Sequence, residues 1–412
     1  MTMATTHQAL RVLLVETSTP GPLSAFAELL AKRGDEVVIL SGKINRAATL
    51  PVGARIIGYP SADGFVANSD HFLADMDRAL NLATRVAKAA LTLKGNGWSP
   101  ELVCGLDDGS ALLLGQVFPD CPQLMHLSRY LTNQTAGASS IAEAETALIA
   151  RLTNTVRLLT SVHVSWSLCT TPADRASYPE FLQPRLSVLA PAVDTGYFSP
   201  AASPPTTSHP EAADLAGSLA DWYSTRSTLP LVTFLARSVA GHERAVAVLA
   251  ELTRSAKPIA GVIATAHGPE GPGDDGCFRC RPGPADRRRL ARASALVVNV
   301  DTDETWPAPL VEAMACGTTV LAVGTAMVAA IVEHGKSGYL TAPNNPVALA
   351  ELIAWAFEHQ SEIAVVGRNA RTAVQRFGLE ETTTTYRRLV DWVVAGGAGP
   401  VRPPTFRPPP LR

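Results

Sequence analysis

The residues best suited to chemistry stand in one stretch, residues 303–317, in which seven residues separate two glutamates, Glu304 and Glu312. The stretch follows an apolar run at 296–300, a predicted buried strand, and open parallel sheets bind ligands beyond the carboxyl ends of their strands. Its prolines suit the first turn of a helix, where a missing amide costs no hydrogen bond. The start of that helix offers free amides and partial positive charge to an anion. An anion site between two carboxylates suits a sugar joined through a diphosphate to a nucleoside.

Apolar runs that alternate with helix-like stretches predict the elements that position these residues. Strands are predicted at 10–15, 36–40, 101–104, 123–126, 185–189, 231–235, 259–264, 296–300 and 319–323. Helices are predicted at 24–33, 70–94, 109–117, 141–160, 243–252, 309–316, 345–357 and 380–394. Strands that alternate with helices are typical of doubly wound α/β domains with parallel sheets.

The chain of 412 residues is long enough for two such domains. We predict an N-terminal domain over 1–198 and a linker over 199–228, which begins with a stretch rich in Pro, Ser and Thr. A C-terminal domain over 229–379 follows. A helix at 380–395 is expected to pack back on the N-terminal domain, and the Pro-rich tail at 396–412 is expected to be disordered.

Composition excludes several classes of protein. With 46% apolar and 17% charged residues the chain can bury large cores, which excludes an intrinsically disordered protein. A net charge of -2 and 6% aromatic residues argue against nucleic-acid binding. The sequence lacks an apolar run long enough for a membrane span and the pattern of a signal peptide. Six scattered cysteines favour reduced thiols, and we expect a cytoplasmic protein.

Several segments resemble one enzyme family. Residues 304–312 resemble the Glu–seven residues–Glu motif of the retaining glycosyltransferases of family 4, and 313–322 resemble the segment that follows it there. Residues 333–340 and 187–200 are similar to two further segments of that family, and the resemblance covers 10–395. It implies the GT-B fold, an α/β fold in which two Rossmann-like doubly wound domains face each other across a cleft.

The resemblance implies a donor site for a nucleotide-diphosphate sugar, without a metal or a separate cofactor. Glu304 would hold the hydroxyls of the donor sugar and Glu312 those of the ribose. The other donor-binding residues that it implies are Gly21 in the first domain, Arg237 and Arg244 at the diphosphate, and Thr305, Trp306 and Pro307 beside the sugar.

The catalytic residues implied are His126, near the anomeric carbon, together with Glu304 and Arg237. His126 and the pair Asp107 and Asp108 are assigned to the acceptor. The alternatives are a core histidine for His126 and a turn or helix cap for the two aspartates.

The sequence departs from the family pattern at three donor positions, one of which is the first loop, where Pro20-Gly21-Pro22 replaces a pair of glycines. His242 stands where the family has a lysine, and Arg244 is the candidate to replace it, although a guanidinium and an ammonium are not equivalent. Pro307 stands where the family has a glycine, which removes one amide that faces the donor. The charged run at 286–289, Asp286 followed by three arginines, is typical of a solvated helix face, from which one arginine could reach the nucleotide.

Two short patterns imitate metal sites. Cys277 and Cys280 have zinc-like spacing without a second pair of ligands, and Asp301 and Asp303 imitate an Asp-X-Asp motif inside the glutamate loop. We interpret the cysteines as a chance pair in a loop and the aspartates as structural or loop-solvating residues, and we predict no metal.

The sequence therefore predicts a metal-independent retaining glycosyltransferase. It would act on a small-molecule acceptor of bacterial secondary metabolism and need neither nucleic acid nor a membrane. The sequence is also compatible with a homodimer. The alternatives are a non-catalytic sugar-nucleotide-binding protein or partner subunit, and a sugar-nucleotide epimerase of related fold. An oxidoreductase is disfavoured, because the first strand–helix turn lacks the Gly-X-Gly-X-X-Gly pattern.

Overall fold

The computed structural model divides the chain into two compact units. Unit 1 consists of Met1–Ala190 and Thr383–Arg412, and unit 2 of Pro191–Thr382. The structure describes residues 9–46, 50–60, 73–131, 140–200, 217–257, 259–265, 270–303, 305–343 and 345–396.

Unit 1 is built on a parallel sheet with the strand order β3-β2-β1-β4-β5-β6-β7. Its strands are β1 (Arg11–Thr19), β2 (Glu36–Ile44), β3 (Ala54–Gly58), β4 (Leu102–Leu106), β5 (Gln123–Leu127), β6 (Trp166–Cys169) and β7 (Leu186–Val188). Its helices up to residue 190 are α1 (Ser24–Arg33), α2 (Ala74–Gly95), α3 (Leu114–Val117), α4 (Ile141–Val162) and α5 (Pro172–Ser177). The order reverses at β1, which pairs with β2 on one side and β4 on the other.

Both faces of this sheet are buried. Alternate side chains of β1 point to opposite faces. Leu13 and Val15 pack with α2 residues such as Val86, and Val12 and Leu14 belong to a second buried cluster. This explains why the strand is a continuous apolar run rather than an alternating one.

Unit 2 has the same architecture. Its sheet order is β10-β11-β9-β8-β12-β13-β14, parallel except for β10 against β11. The strands are β8 (Leu231–Ala236), β9 (Ala260–Thr265), β10 (Gly271–Pro272), β11 (Phe278–Cys280), β12 (Leu296–Asn299), β13 (Val320–Val323) and β14 (Tyr339–Thr341). The helices are α6 (Gly217–Ser224), α7 (Val239–Arg254), α8 (Pro284–Ala293), α9 (Ala308–Ala315), α10 (Ala326–Ala329), α11 (Pro346–Glu358) and α12 (Gln360–Val374). The fold class predicted from the sequence, α/β with two doubly wound parallel sheets, is confirmed.

Side chains near the starts of the unit 2 helices fix where they begin. The Ser238 hydroxyl accepts a hydrogen bond from the Gly241 amide (2.9 Å) at the start of α7, and Asn345 accepts one from Ala348 (3.0 Å) at the start of α11. A proline lies in the first turn of α9, as its sequence predicts.

The last helix, α13 (Leu379–Val394), supplies side chains to the core of unit 1. Those in the cluster that contains Val12 and Leu14 are Tyr386, Leu389, Val390 and Val393. The helix thus belongs to the N-terminal unit over most of its length, although it is last in the sequence.

Two stretches differ from the sequence-based expectations. The range predicted as a linker, 199–228, contains α6, which buries Leu219, Trp222 and Tyr223 beside Phe278 of β11. An aromatic face at helical spacing makes this part of unit 2. The helix predicted at 109–117 forms only over Leu114–Val117. Residues 201–216 of the predicted linker and residues 397–412 of the predicted tail lie outside the described residues.

Among the helices that the structure describes, none combines the length and the apolar character needed to cross a bilayer.

Candidate functional site

A cavity of about 310 Å³ opens at the carboxyl ends of the central strands of unit 2. Leu235 and Ala264 come from β8 and β9, Asn299 from β12, and Leu310 from α9. The charged side chains in its lining are Arg237, Arg281, Arg287, Asp301 and Asp303. Because the lining combines aliphatic side chains with three arginines, the cavity suits a ligand that has an apolar or ring-like part and an anionic part.

Arg237 follows β8 and is held by the loop after β12. Its backbone amide donates to Asp301 (2.7 Å), and its guanidinium forms an ion pair with Asp303. Asp301 also accepts hydrogen bonds from the Ser238 amide (3.2 Å) and hydroxyl (2.8 Å), which fixes the start of α7. The buried Asp301 therefore has a structural role, and the exposed Arg237–Asp303 pair lines the cavity.

The loop between β12 and α9 brings together several of the residues predicted beside the sugar. Thr305 and Pro307 line the cavity, while the Trp306 ring packs edge-on against Phe377 at 5.1 Å between centroids. Glu304, the first glutamate of the motif, lies outside the described residues.

Glu312 is buried on α9 and bound by an arginine of α8. Arg287 donates from Nε to Oε2 (2.6 Å) and from Nη2 to Oε1 (2.9 Å), and it also lines the cavity. Arg287 is thus not on a solvated face; it is the arginine of 287–289 that lines the cavity, as the sequence analysis allowed for one of them. The sequence offered one signal, the three consecutive arginines of α8, but nothing in it paired one of them with Glu312.

Arg244 and His242 on α7 do not appear in the cavity lining. Arg244 donates to the Val300 carbonyl (2.7 Å) and the Thr302 hydroxyl (3.3 Å), so it supports the loop after β12. The His242 Nε2 atom accepts a hydrogen bond from Arg279 (3.4 Å). The predicted role of Arg244 at the diphosphate stays a prediction.

In unit 1, Gly21 stands in a tight turn between β1 and α1. A Cβ atom there would overlap the Ser18 carbonyl oxygen and the Glu16 carboxylate. Glu16 is fully buried and accepts hydrogen bonds from the Leu23 amide (3.1 Å), the Thr19 hydroxyl (2.9 Å) and the Ser24 hydroxyl (3.2 Å). Burial raises the pKa of Glu16, which these hydrogen bonds oppose. This buried carboxylate organises the turn, and the sequence analysis missed it inside an apolar strand.

His126 lies on β5, as predicted, with its ring 4.8 Å from that of Phe26. Its Nε2 atom is sealed from solvent and has no hydrogen-bond partner among the described residues. Burial lowers the pKa of His126 to about 4, which makes the imidazole neutral at pH 7. It is packed like a core histidine, which is the alternative considered for it from the sequence.

Asp107 and Asp108 follow β4 and hold the local backbone. Asp107 is bonded to the Ser128 amide (2.7 Å) and hydroxyl (3.0 Å) and to Arg157 (3.2 Å). The pKa of Asp107 is raised, because burial outweighs the opposing effect of the Arg157 guanidinium. Asp108 accepts a hydrogen bond from the Ser110 amide (2.9 Å), which is the turn-capping alternative considered for it.

Neither of the two patterns that imitate metal sites presents its side chains together and free. The two cysteines lie apart, and Asp301 accepts hydrogen bonds from Arg237 and Ser238. Cys277 packs in one core cluster of unit 2 and Cys280 against the other, since side chains three positions apart on a strand face opposite sides. Across the described ranges, no three His, Cys, Asp or Glu side chains are grouped as metal ligands.

Two family models match the chain. Residues 33–198 match the glycosyl transferase family 4 group, and residues 286–373 match glycosyl transferases group 1. The second segment contains the Glu304–Glu312 motif, Arg287 and α9.

Curated relatives match over a short segment. D-inositol 3-phosphate glycosyltransferase 2 of Catenulispora acidiphila is 34% identical over 102 residues, 24% of this chain and 24% of that protein. D-inositol 3-phosphate glycosyltransferase of Xylanimonas cellulosilytica is 32% identical over 101 residues, again 24% of each chain. The chain thus spans about a quarter of the length of these relatives.

Solved structures match over nearly the whole chain. Anabaena HepE in complex with UDP-glucose has a TM-score of 0.67 at 17% identity, covering 93% of this chain and 99% of that one. Sucrose-phosphate synthase from Thermosynechococcus elongatus has a TM-score of 0.67 at 14% identity, covering 94% and 99%. At such low sequence identity, structural similarity is evidence for the fold alone. It confirms the predicted GT-B fold.

Proposed function

This chain belongs to the family 4 (group 1) glycosyltransferases, as its motifs predict, and we propose that it transfers a sugar from a nucleotide-diphosphate sugar to a small-molecule acceptor. The observation that carries the proposal is the cavity of unit 2. Three arginines line it, and the α9 glutamate that the family motif assigns to the ribose is held beside it by one of them.

The charges of the cavity support a diphosphate at its mouth. Arg237 and Arg281 have partly exposed guanidinium groups there, and their exposed ion pairs are weak enough to exchange partners. The aliphatic walls from Leu235 and Ala264 suit a planar base. The ribose is proposed for Glu312, which is outside the cavity lining but bound by the lining residue Arg287. Glu304 is proposed for the hydroxyls of the donor sugar.

In the proposed reaction, the bond between the anomeric carbon and the donor's phosphate oxygen breaks while an acceptor oxygen bonds to that carbon. The acceptor proton passes to the departing phosphate, and a nucleoside diphosphate is released. Arg237 would stabilise the negative charge that develops on the diphosphate. Retention of the anomeric configuration, without a metal, is proposed from the family resemblance, with no protein nucleophile assigned.

The acceptor is proposed to be a small polar molecule bound by unit 1, near His126. D-inositol 3-phosphate is the first acceptor to assay, since it is named for the two relatives. A role in bacterial secondary metabolism and a cytoplasmic location belong to the same proposal.

The test is a thermal-shift screen of UDP-, GDP-, ADP- and TDP-linked sugars. We expect one nucleotide class to raise the unfolding temperature, Arg237→Ala to abolish the rise and Glu312→Ala to reduce it. Arg254→Ala, which removes an exposed ion pair with Glu251 at the far end of α7, is the matched control and should respond like the wild type. No response to any donor would refute the proposal.

Turnover then separates an enzyme from a binding protein. We expect release of nucleoside diphosphate that depends on the acceptor and on Glu304, and that persists in EDTA. The anomeric configuration of the product, read by NMR, tests retention. The alternative of a non-catalytic sugar-nucleotide-binding protein is favoured by one observation, that His242 replaces the family lysine and is bonded to Arg279. It predicts stabilisation without turnover.

A further inference from the structure

The contact between Arg287 and Glu312 has the geometry of a two-pronged ion pair. Two nitrogens of one guanidinium bind the two oxygens of one carboxylate, at 2.6 and 2.9 Å. The Glu312 side chain is only 10% exposed and that of Arg287 29%. Such parallel hydrogen bonds fix the plane of a carboxylate as well as its position, which a single contact does not.

The same guanidinium contacts a third element. Nη1 of Arg287 lies 3.4 Å from the Pro282 carbonyl oxygen, in the segment that joins β11 to α8. Arg281 and Pro282 of this segment line the cavity, as does Arg287 itself. One side chain therefore ties together α8, the segment before it and α9, all at the edge of the cavity.

The surroundings of Glu312 explain why it needs a partner. Its neighbours on α9 are apolar and buried, among them Leu310, Val311 and Ala313. Burying an unpaired carboxylate among such groups costs several kcal/mol, and a bidentate guanidinium offsets much of that cost. Each carboxylate oxygen keeps a second lone pair after binding Arg287, so the ion pair leaves Glu312 two acceptor positions.

We propose that Arg287 is a positioning residue for nucleotide recognition, which holds the Glu312 carboxylate so that its two remaining lone pairs accept hydrogen bonds from the 2′- and 3′-hydroxyls of a ribose. The inference rests on the proposed function. It assigns a role to a helix arginine that lies outside the glutamate motif.

The neighbouring arginines on α8 have other partners. The Arg288 guanidinium lies 4.5 Å from the centre of the Tyr197 ring, and Arg289 pairs with Asp286 at 3.4 Å. Neither lines the cavity. Arg289→Met is therefore the matched control for Arg287→Met: it makes the same chemical change on the same helix, away from Glu312.

The experiment measures by calorimetry the binding of UDP, ADP and GDP and of their 2′-deoxy and 3′-deoxy forms. In the wild type and in Arg289→Met we expect the ribonucleotide that binds to be preferred about tenfold over each deoxy form. In Arg287→Met this preference should fall below about twofold, because a Glu312 that is not held in place no longer reads both hydroxyls. Arg287→Lys, which keeps the charge but not the fork, should lie between.

The outcomes are distinguishable. If the wild type binds none of the three ribonucleotides, the proposed function falls and this inference with it. If the wild type binds one, and Arg287→Met or Arg287→Lys keeps the full preference over both deoxy forms, only this inference is overturned. A wild type that binds without preferring ribose overturns it as well. If Arg287→Met does not fold, the variants Arg287→Lys and Glu312→Gln decide the question. Both should lose the preference for the ribonucleotide over its deoxy forms while they keep their affinity for the diphosphate.

Discussion

The guanidinium of Arg237 is paired with the carboxylate of Asp303, and both groups line the same cavity. The Thr305 hydroxyl donates to the same carboxylate oxygen at 2.9 Å. The two charged side chains are about equally exposed, 42% and 40%. The arginine proposed for the donor diphosphate thus has an anionic partner within the chain, and a bound diphosphate would have to displace it.

We therefore expect Asp303→Asn to tighten the binding of a nucleoside diphosphate by up to about fivefold. The substitution removes a competing negative charge, and an exposed ion pair contributes up to about 1 kcal/mol. Titration calorimetry at low salt measures the change, which should shrink as salt is added. Asp286→Asn removes a comparable carboxylate on α8 that lies outside the cavity lining, and should leave affinity unchanged. Weaker binding by Asp303→Asn would show instead that Asp303 takes part in holding the ligand.

Asp107 is expected to act on stability rather than on the acceptor. Its carboxylate is buried and bonded to Ser128 and Arg157, so Asp107→Ala leaves a buried guanidinium without its ion-pair partner. Loss of one partner of a buried pair costs about 3 kcal/mol of unfolding free energy. Urea denaturation should show this loss, and Asp107→Ala combined with Arg157→Leu should recover part of it. An unchanged stability with a raised acceptor KM would restore the acceptor role predicted from the sequence.

Gly21→Ala should destabilise the first turn of unit 1. The added methyl group would overlap the Ser18 carbonyl oxygen, which is backbone and has little room to move, and the Glu16 carboxylate beneath it. We expect a loss of about 1–3 kcal/mol in unfolding free energy, as for other strained substitutions. The control is Gly95→Ala at the end of α2, where the new methyl group meets nothing within 4 Å and should be neutral or slightly stabilising. Equal effects from both substitutions would contradict this account of the turn.

The sequence predicted the fold well because apolar runs and helix ends are local signals. Residues 10–15 and 296–300 are read as strands from composition alone, and they are β1 and β12. Short edge strands such as β14 were missed, since three residues carry too weak a pattern.

The candidate site was predicted only in part. Spacing placed Glu312 on a helix behind an anion site, but pairing it with Arg287, 25 residues earlier, depends on how α8 packs on α9. In the same way, whether Arg244 faces the ligand or the Val300 carbonyl depends on the shape of the loop after β12. Tertiary packing, which no local pattern encodes, decided both.

His126 should make the protein less stable in mild acid. Burial lowers its pKa to about 4 from an ordinary 6.5, so between these values the unfolded chain binds a proton that the folded chain does not. The unfolding free energy contributed by this residue is then fully present above pH 6.5 and falls as the pH drops toward 4. The slope is at most about 1.4 kcal/mol per pH unit. Denaturant unfolding at a series of pH values measures it.

The matching substitution is His126→Phe, which keeps a ring beside Phe26 but has no group to protonate. Whatever its unfolding free energy at pH 7, the slope between pH 6.5 and 4 should be smaller than that of the wild type, because the proton uptake on unfolding is gone. His163→Phe makes the same change at an exposed histidine of unit 1 and should keep the wild-type slope. If His126→Phe and the wild type show the same slope, then His126 is protonated in the folded chain as readily as in the unfolded one. That result would contradict the burial of the imidazole beside Phe26 as the cause of a lowered pKa.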